Sequence, residues 1–368
     1  MILKKKLQSL FKNFFYYIFK KIYGLPKHSD NLIGHKFIKK NFTQINVNNQ
    51  IYKIDKNIYE ITNGRVFTDT VEHVAIIAQD IIMPNISYQQ IEGELKNIEY
   101  NKILVSGTNR IKKKIRGKVL SLVQGASGNN YFHFLFDIVS KLILLDKNNL
   151  LKQIDYFLVP ETQNWQLQIL SNFGISKKKL LNSKKIRHLE ADMIYALDHI
   201  WYNKGFVQEE IKNIPEWVIF SLKEKFLSCS KKFEASERVF IDRSDSIYNH
   251  CKLINNSEIA KYLEKYNFKS YQVSKLNFFE QIYLFNNAKI IFGPHGAAFT
   301  NIIFCKKGTK IIELIATNSK NNLFKNIAKK INLSFNRIYL NKIDNSKIKR
   351  SWDGLLYLNI KKLSKIYF

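Results

Sequence analysis

Proline and glycine are scarce in this chain, at 5 and 14 of 368 residues, which excludes long flexible linkers. Cysteine is scarcer still. Cys229, Cys251 and Cys305 are far apart, odd in number and never paired as Cys-x-x-Cys. That spacing excludes a disulfide framework and a zinc site, and a reducing compartment is expected. Three catalytic signatures are absent as well: Gly-x-x-x-x-Gly-Lys-Ser/Thr, the Gly-x-Ser-x-Gly elbow and Asp-x-Asp. P-loop and α/β-hydrolase chemistry therefore lack their key residues, and a metal-bridged nucleotide lacks its usual carboxylate pair. Acidic residues number 30 against 59 Lys and Arg, so the formal net charge is +29.

Such an excess admits three kinds of partner: nucleic acid, an anionic membrane surface or an anionic substrate. It is also what a composition rich in Lys, Asn, Ile, Phe and Tyr produces without any partner. Beyond residue 23 the lysines are dispersed instead of gathered with aromatics on one element, so nucleic acid is not an expected partner. A hydrophobic content of 45% with 14% aromatics is enough for real cores, and the length suits two domains or one large α/β unit.

The first 23 residues are basic and aromatic. Their longest uncharged apolar run, Phe14–Phe19, is far too short to span a bilayer, and no small-residue cleavage site follows. Leu3, Leu7, Leu10, Phe14, Ile18 and Ile22 share one stripe of a helical wheel, with Lys4, Lys5, Lys12, Lys20 and Lys21 largely off it. This is the pattern of an interfacial helix on anionic lipid, or of a helix packed on its own domain.

Residues 24–117 read as short β-type runs: Val66–Phe67, Val74–Ile82 and Ile103–Ser106. Val119–Val123 reads as a strand, Gly125–Gly128 as a loop, Asn130–Asp146 as a helix, Tyr156–Val159 as a strand and Trp165–Phe173 as a helix. After Pro215 the rhythm is regular. Helices are expected at 216–227, 256–266, 278–287, 297–304 and 321–331, and strands at 238–242, 270–273, 289–292 and 310–315. Strand–helix alternation implies a parallel sheet with helices on both faces, which binds ligands at the carboxyl ends of its strands. The expected divisions are residues 1–23, a domain over 24–228, a second domain over 237–345, and a closing strand and helix over 346–368. A Lys/Ser-rich stretch at 228–236 connects the domains.

Three constellations carry chemistry. In GASGNNYFHFLFD (Gly125–Asp137), His133 and Asp137 lie four apart on one helix face, opposite the apolar one. A carboxylate one turn from an imidazole fixes its tautomer and suits it to general-base work; a solvated surface pair has the same spacing. In VFIDRSD, Arg243 follows a strand, where a guanidinium fork can grip a diphosphate. In KIIFGPHGAAFTN (Lys289–Asn301), a buried strand breaks into a small-residue turn and then a helix. Gly293, Gly296, Ala297 and Ala298 let a ligand approach the backbone. The helix N-terminus favours phosphate, and His295 sits inside the turn. Glu313, on the next strand, is placed as a ribose-binding carboxylate or a strand-end ion pair.

In this order, NNYFHFLFD (Asn129–Asp137), FIDRSD…INNSEI (Phe240–Ile259) and FFEQIYLFNNAKIIFGPHGAAFTNIIFCKKGTKIIEL (Phe278–Leu314) resemble glycosyltransferase family 61, over roughly residues 60–340. Bacterial members of that family are assigned to capsular polysaccharide biosynthesis. The resemblance implies a GT-B-like α/β fold of two Rossmann-like halves with a cleft between them. It implies inverting, metal-independent transfer from a nucleotide diphospho-sugar to a glycan or lipid-linked glycan acceptor, with no bound cofactor. Two departures stand out: Asn255-Asn256 replaces the frequent Asn-Glu, and the frequent second arginine near Lys252 is missing.

On this reading Arg243, His295 and the backbone of Gly296–Ala298 take the leaving diphosphate. Asn301 orients the turn or meets phosphate, and Glu313 holds the ribose. His133 or Asp137 deprotonates the acceptor beside the loop of Asn129 and Asn130. His133 is favoured because an imidazole's ordinary pKa of about 6.5 lies nearer working pH. The expected setting is the cytoplasm, peripheral on the inner face of the membrane. A non-catalytic nucleotide- or glycan-binding scaffold of the same fold is the alternative.

Overall fold

The computed structural model describes residues 2–28, 37–70, 73–91, 93–128, 130–202, 205–211, 214–246, 251–317, 319–343 and 354–364. The chain is α/β and divides into two compact units, residues 1–217 and 218–368. The division falls inside the helix Glu216–Phe226, so the stretch at 228–236 belongs to the second unit.

In the first unit the strands Leu180–Asn182, Tyr156–Val159, Lys113–Ser121 and His188–Leu197 run parallel in that spatial order. An antiparallel meander extends the sheet from the last of these, through Arg65–Thr70 and His73–Ala78. A long hairpin, Phe37–Val47 with Gln50–Thr62, also pairs onto it. The hairpin was not expected from the short β-type runs. Its signal is Asn48-Asn49 between alternating segments: both have positive φ, 48° and 62°, as a two-residue type I′ turn demands.

Ile103–Ser106, expected as β-type, is instead a helical turn with Asn101 Oδ1 accepting from the Ile103 N–H at 3.2 Å. Four apolar residues carry no period that separates helix from strand, and the Asn101 side chain decides it. The helix expected over 130–146 is present but not uniform. It starts α-helical at Tyr131–His133, widens to a π-helix over Phe134–Val139, and returns to α over Ser140–Lys147. Ser140 Oγ donates to the Phe136 carbonyl at 2.5 Å, which satisfies backbone loosened by the wider turns.

The N-terminal helix spans Ile2–Tyr23. Phe15, Phe19 and Tyr23, each one turn apart, stack in a row, and Tyr23 meets His188 edge-on at 5.2 Å. That face docks on its own unit. Of the stripe read from the sequence, Leu7, Leu10, Phe14 and Ile22 are exposed and Ile18 is half-buried. No helix among the described residues is long and apolar enough to cross a membrane.

The second unit is built on five parallel strands. Their spatial order is Lys269–Tyr271, Arg238–Ile241, Ile290–Pro294, Lys310–Ala316 and Ser334–Leu340. In chain order this is 2-1-3-4-5, so the winding reverses between the first strand and the third. Helices Asn256–Glu264, Phe278–Asn287, Ala297–Phe304 and Leu323–Lys330 fill the crossovers. The second of these starts with a full capping box, Asn277 with Glu280. The three inner strands are buried along almost their whole length and are mostly apolar, with Glu313 inside one of them, whereas the two edge strands are partly exposed. Of the closing elements expected over 346–368, Leu355–Leu356 pairs with Lys252–Leu253 and Ile360–Leu363 is a helical turn; residues 346–353 and 365–368 lie outside the described set.

Candidate active site

Open α/β sheets bind ligands where the winding reverses, beyond the carboxyl ends of the strands. In the second unit that point lies between Arg238–Ile241 and Ile290–Pro294, and the residues leaving these strands meet there. Asp242 shapes the first exit. One of its oxygens accepts from the Ser244 N–H at 2.7 Å and from Asn256 Nδ2 at 2.8 Å. Asn256, one of the two departures from the family pattern, is thus tied to the loop that carries Arg243. The Arg243 guanidinium then crosses to the second exit and donates through Nη1 to the His295 carbonyl. Burial pulls the guanidinium below its ordinary pKa, while Asp245 draws it back up. Desolvation strengthens whatever charge–charge contact it makes.

The small residues of the turn serve different ends. A Cβ on Gly293 would lie 2.7 Å from the Ile241 Cβ, so this glycine sets the close approach of the two strands. A Cβ on Gly296 would strike the Arg243 guanidinium. Gly296 precedes the helix Ala297–Phe304, which is a 3₁₀ helix with no side-chain cap. The first N–H groups of a helix have no internal partner. Here they sit behind exposed Ala297 and half-buried Gly296 and Ala298, while Phe299, Ile302, Ile303 and Phe304 anchor the rest in the core. Asn301 is fully buried and donates through Nδ2 to Gln281 at 2.9 Å and to the Ala298 carbonyl at 3.3 Å. Of its two expected roles, that geometry serves orientation of the turn.

Behind the turn lies a buried charge relay. Gly293, Glu313 and Arg337 stand in register on three neighbouring strands. His295 Nδ1 is 2.6 Å from Glu313 Oε1, and Arg337 Nε donates to Glu313 Oε2 at 2.7 Å. Glu313 is completely buried, with both oxygens engaged. Its carboxylate fixes the His295 tautomer with the proton on Nδ1, which leaves Nε2 to face Asn321 at 3.4 Å. Arg337 and Asn321 were not singled out from the sequence. The signal for Arg337 is an arginine within SFNRIYL, a strand flanked by a buried acidic one.

The first unit holds the other candidate pair. His133 Nδ1 and Asp137 Oδ2 are 2.9 Å apart, one turn along the helix at its π segment. Single-turn π segments concentrate at functional sites. Asn130 caps the helix, its Oδ1 accepting from the His133 N–H at 3.2 Å; Asn129 lies outside the described residues.

The expectation that both groups occupy a polar face holds only for His133. Asp137 is fully buried and also accepts from Trp201 Nε1 at 2.6 Å and Tyr202 Oη at 3.3 Å. A buried carboxylate survives when donors saturate it, and Trp201 and Tyr202 supply them from a distant stretch of chain. The chain of contacts continues from Tyr202 to Gln124 Nε2 at 2.7 Å, and from Gln124 Oε1 to Lys141. Burial lowers Lys141 to about 8, against the pull of Asp137 and Asp198.

Both units are α/β folds that gather polar groups at strand ends or helix starts, the class of open-sheet proteins that bind their ligands there. Residues 131–312 match the model of the family described as Glycosyltransferase 61. Over this stretch the chain belongs to that family, and it is a glycosyltransferase. No curated protein matches the chain.

Proposed function

We propose that this enzyme moves a sugar, with inversion, from a nucleotide diphospho-sugar to a hydroxyl of a glycan or lipid-linked glycan acceptor in cell-surface (capsular or lipopolysaccharide) polysaccharide biosynthesis. The observation that carries the donor reading is the Arg243 guanidinium held against the open start of helix Ala297–Phe304 where the sheet reverses its winding. A cation and unpartnered N–H groups at one point suit a leaving diphosphate.

In the proposed reaction His133 Nε2 accepts the proton of the acceptor hydroxyl. That oxygen bonds to the anomeric carbon, and the carbon–phosphate oxygen bond breaks with its electron pair passing to the β-phosphate. Arg243 and the N–H groups of Gly296–Ala298 hold the charge that develops. Asp137, buried on Nδ1 of His133, keeps Nε2 free of a proton and aimed outward. Glu313 acts through His295 in place of the ribose, because both of its oxygens are already engaged. The GT-B-like assignment of donor binding to the second unit and proton transfer to the first belongs to the same proposal. So does independence from a bound metal.

The same reading sets the enzyme on the cytoplasmic side, where nucleotide sugars are made. It is held to the anionic inner face of the membrane by helix Ile2–Tyr23, whose exposed Leu7, Leu10 and Phe14 support that contact.

A panel of nucleotides and nucleotide sugars, read by thermal shift with and without a chelator, tests the proposal. Protection by a nucleoside diphosphate in chelator, lost in Arg243→Ala and kept in His133→Ala, is the expected result. Equal protection of wild type and Arg243→Ala overturns the donor assignment.

A further inference from the structure

A cavity of about 920 Å³ opens in the first unit, between the N-terminal helix and the segments 109–113 and 184–188. Its volume is at the upper end of the ~300–1,000 Å³ typical of small-molecule sites. The two kinds of surface in it are sorted. The helix contributes an apolar floor of Leu7, Phe11, Phe15 and Phe19, joined by Ile111 and Ile186. The rim is cationic: Lys12, Arg110, Lys113, Lys184, Lys185 and Arg187, with no acidic residue in the lining. Lys184 is partly neutralised by Glu161 at 2.5 Å. Among the described residues no carboxylate lies within ion-pair distance of Lys12, Lys113 or Lys185.

We propose that this groove seats one anionic membrane lipid, with an acyl chain along the phenylalanines and its phosphate on the lysine rim. A soluble anion has no use for an apolar floor, and an uncharged lipid has none for the rim; only an amphipathic anion satisfies both. The floor is also continuous with the exposed stripe of the same helix. Leu7 belongs to both and Phe11 of the floor is exposed beside it, while Leu10, Phe14 and Tyr17 are exposed beyond the groove. A lipid can therefore pass from a bilayer touched by the stripe into the groove without crossing water. The inference deepens the membrane reading given above and rests on it, but names a stoichiometric site where that reading has only a surface.

The test uses the full chain in mild detergent, with dioleoyl-phosphatidylglycerol or dioleoyl-phosphatidylcholine added, and native mass spectrometry to count bound lipid. Flotation with vesicles of the two lipids reports surface binding separately. Wild type is expected to hold one phosphatidylglycerol at least tenfold more tightly than phosphatidylcholine. The variant Lys12→Gln/Lys113→Gln/Lys185→Gln, altered only at exposed side chains, is expected to lose that preference. Phe11→Gln is expected to weaken occupancy while keeping the charge. Leu10→Gln/Phe14→Gln is expected to lose flotation and keep the bound lipid.

Equal occupancy by the two lipids overturns the proposal, as does unchanged phosphatidylglycerol occupancy in the triple lysine variant. Displacement of the lipid by equimolar glycerol phosphate overturns it too, since the acyl chain would then contribute nothing. If wild type holds the lipid in detergent yet fails to float, the membrane reading fails and the groove stands.

Discussion

The Arg243 guanidinium reaches across from one strand exit to donate to the carbonyl of His295 at the next, and Gly296 leaves it room to do so. One side chain thereby ties the two exits between which the sheet reverses its winding. It also lays a largely desolvated cation beside the first N–H groups of a helix. Each of the two features is common; the strand order of the sheet brings them together.

Gly296→Ala separates the role of that arginine from the stability of the fold. Gly296 has φ of 165°, extended backbone open to any residue, and the nearest atoms an added methyl meets are those of the movable guanidinium. The variant should fold normally and lose Arg243 from the site. Hydrogen bonds from charged groups are worth about 1.5–3 kcal/mol, so nucleoside diphosphate affinity should fall roughly tenfold or more. Calorimetric titration checks it, and affinity unchanged in a folded variant would remove Arg243 from the donor site.

Glu313→Gln should be costly to the second unit. It leaves the Arg337 guanidinium, 7% exposed, without its counter-charge beside His295. Removing one partner of a buried pair destabilises by about 3–5 kcal/mol. Urea unfolding should show this loss, and Glu313→Gln/Arg337→Met should recover most of it. A loss below about 1 kcal/mol, the level of exposed pairs, would mean that water reaches the relay.

His133→Gln should lower kcat by about 10²–10⁴-fold with donor affinity unchanged, the usual weight of a general base. Asp137→Asn should also slow turnover. An amide in place of the carboxylate can present its N–H to Nδ1, which then shifts the imidazole proton to Nε2. Initial rates and donor titrations on the two variants decide. Equal loss of donor affinity and kcat would assign the pair to binding.

How much of this was legible in the sequence depends on range. The alternation after residue 215, the turn at Gly293–Ala298 and the place of Arg243 and His295 each at a strand end followed from local pattern, because apolar runs and small-residue breaks are local. The spacing of His133 and Asp137 was legible too. Their unequal exposure was not, because it depends on Trp201 and Tyr202, more than sixty residues on. The engagement of Glu313 was hidden for the same reason: Arg337 meets it through strand register, and register is not written in either strand alone. The π segment at Phe134–Val139 left no trace in the pattern, since one extra residue in a turn shifts the apolar period by less than the scatter of side-chain choice.

Lys141 gives the sharpest pH signature. Burial holds it at about 8, against an ordinary value of 10.5. Between these two values the unfolded chain keeps a proton that the folded chain has released, so stability rises with pH through that window. Below pH 8 both states are protonated, and the full cost of a buried ammonium burdens the folded state. The shift of roughly 2.5 units corresponds to about 3 kcal/mol. Lys141→Met keeps the length of the stem and removes the charge. The stability of wild type relative to this variant should therefore be lowest below pH 8 and climb by about 3 kcal/mol toward pH 10.5. Urea unfolding of both proteins at matched pH values measures the difference. A difference that stays flat from pH 7 to 10.5 would show that Gln124, the Leu197 carbonyl and Asp137 fully compensate the ammonium for the water it lost.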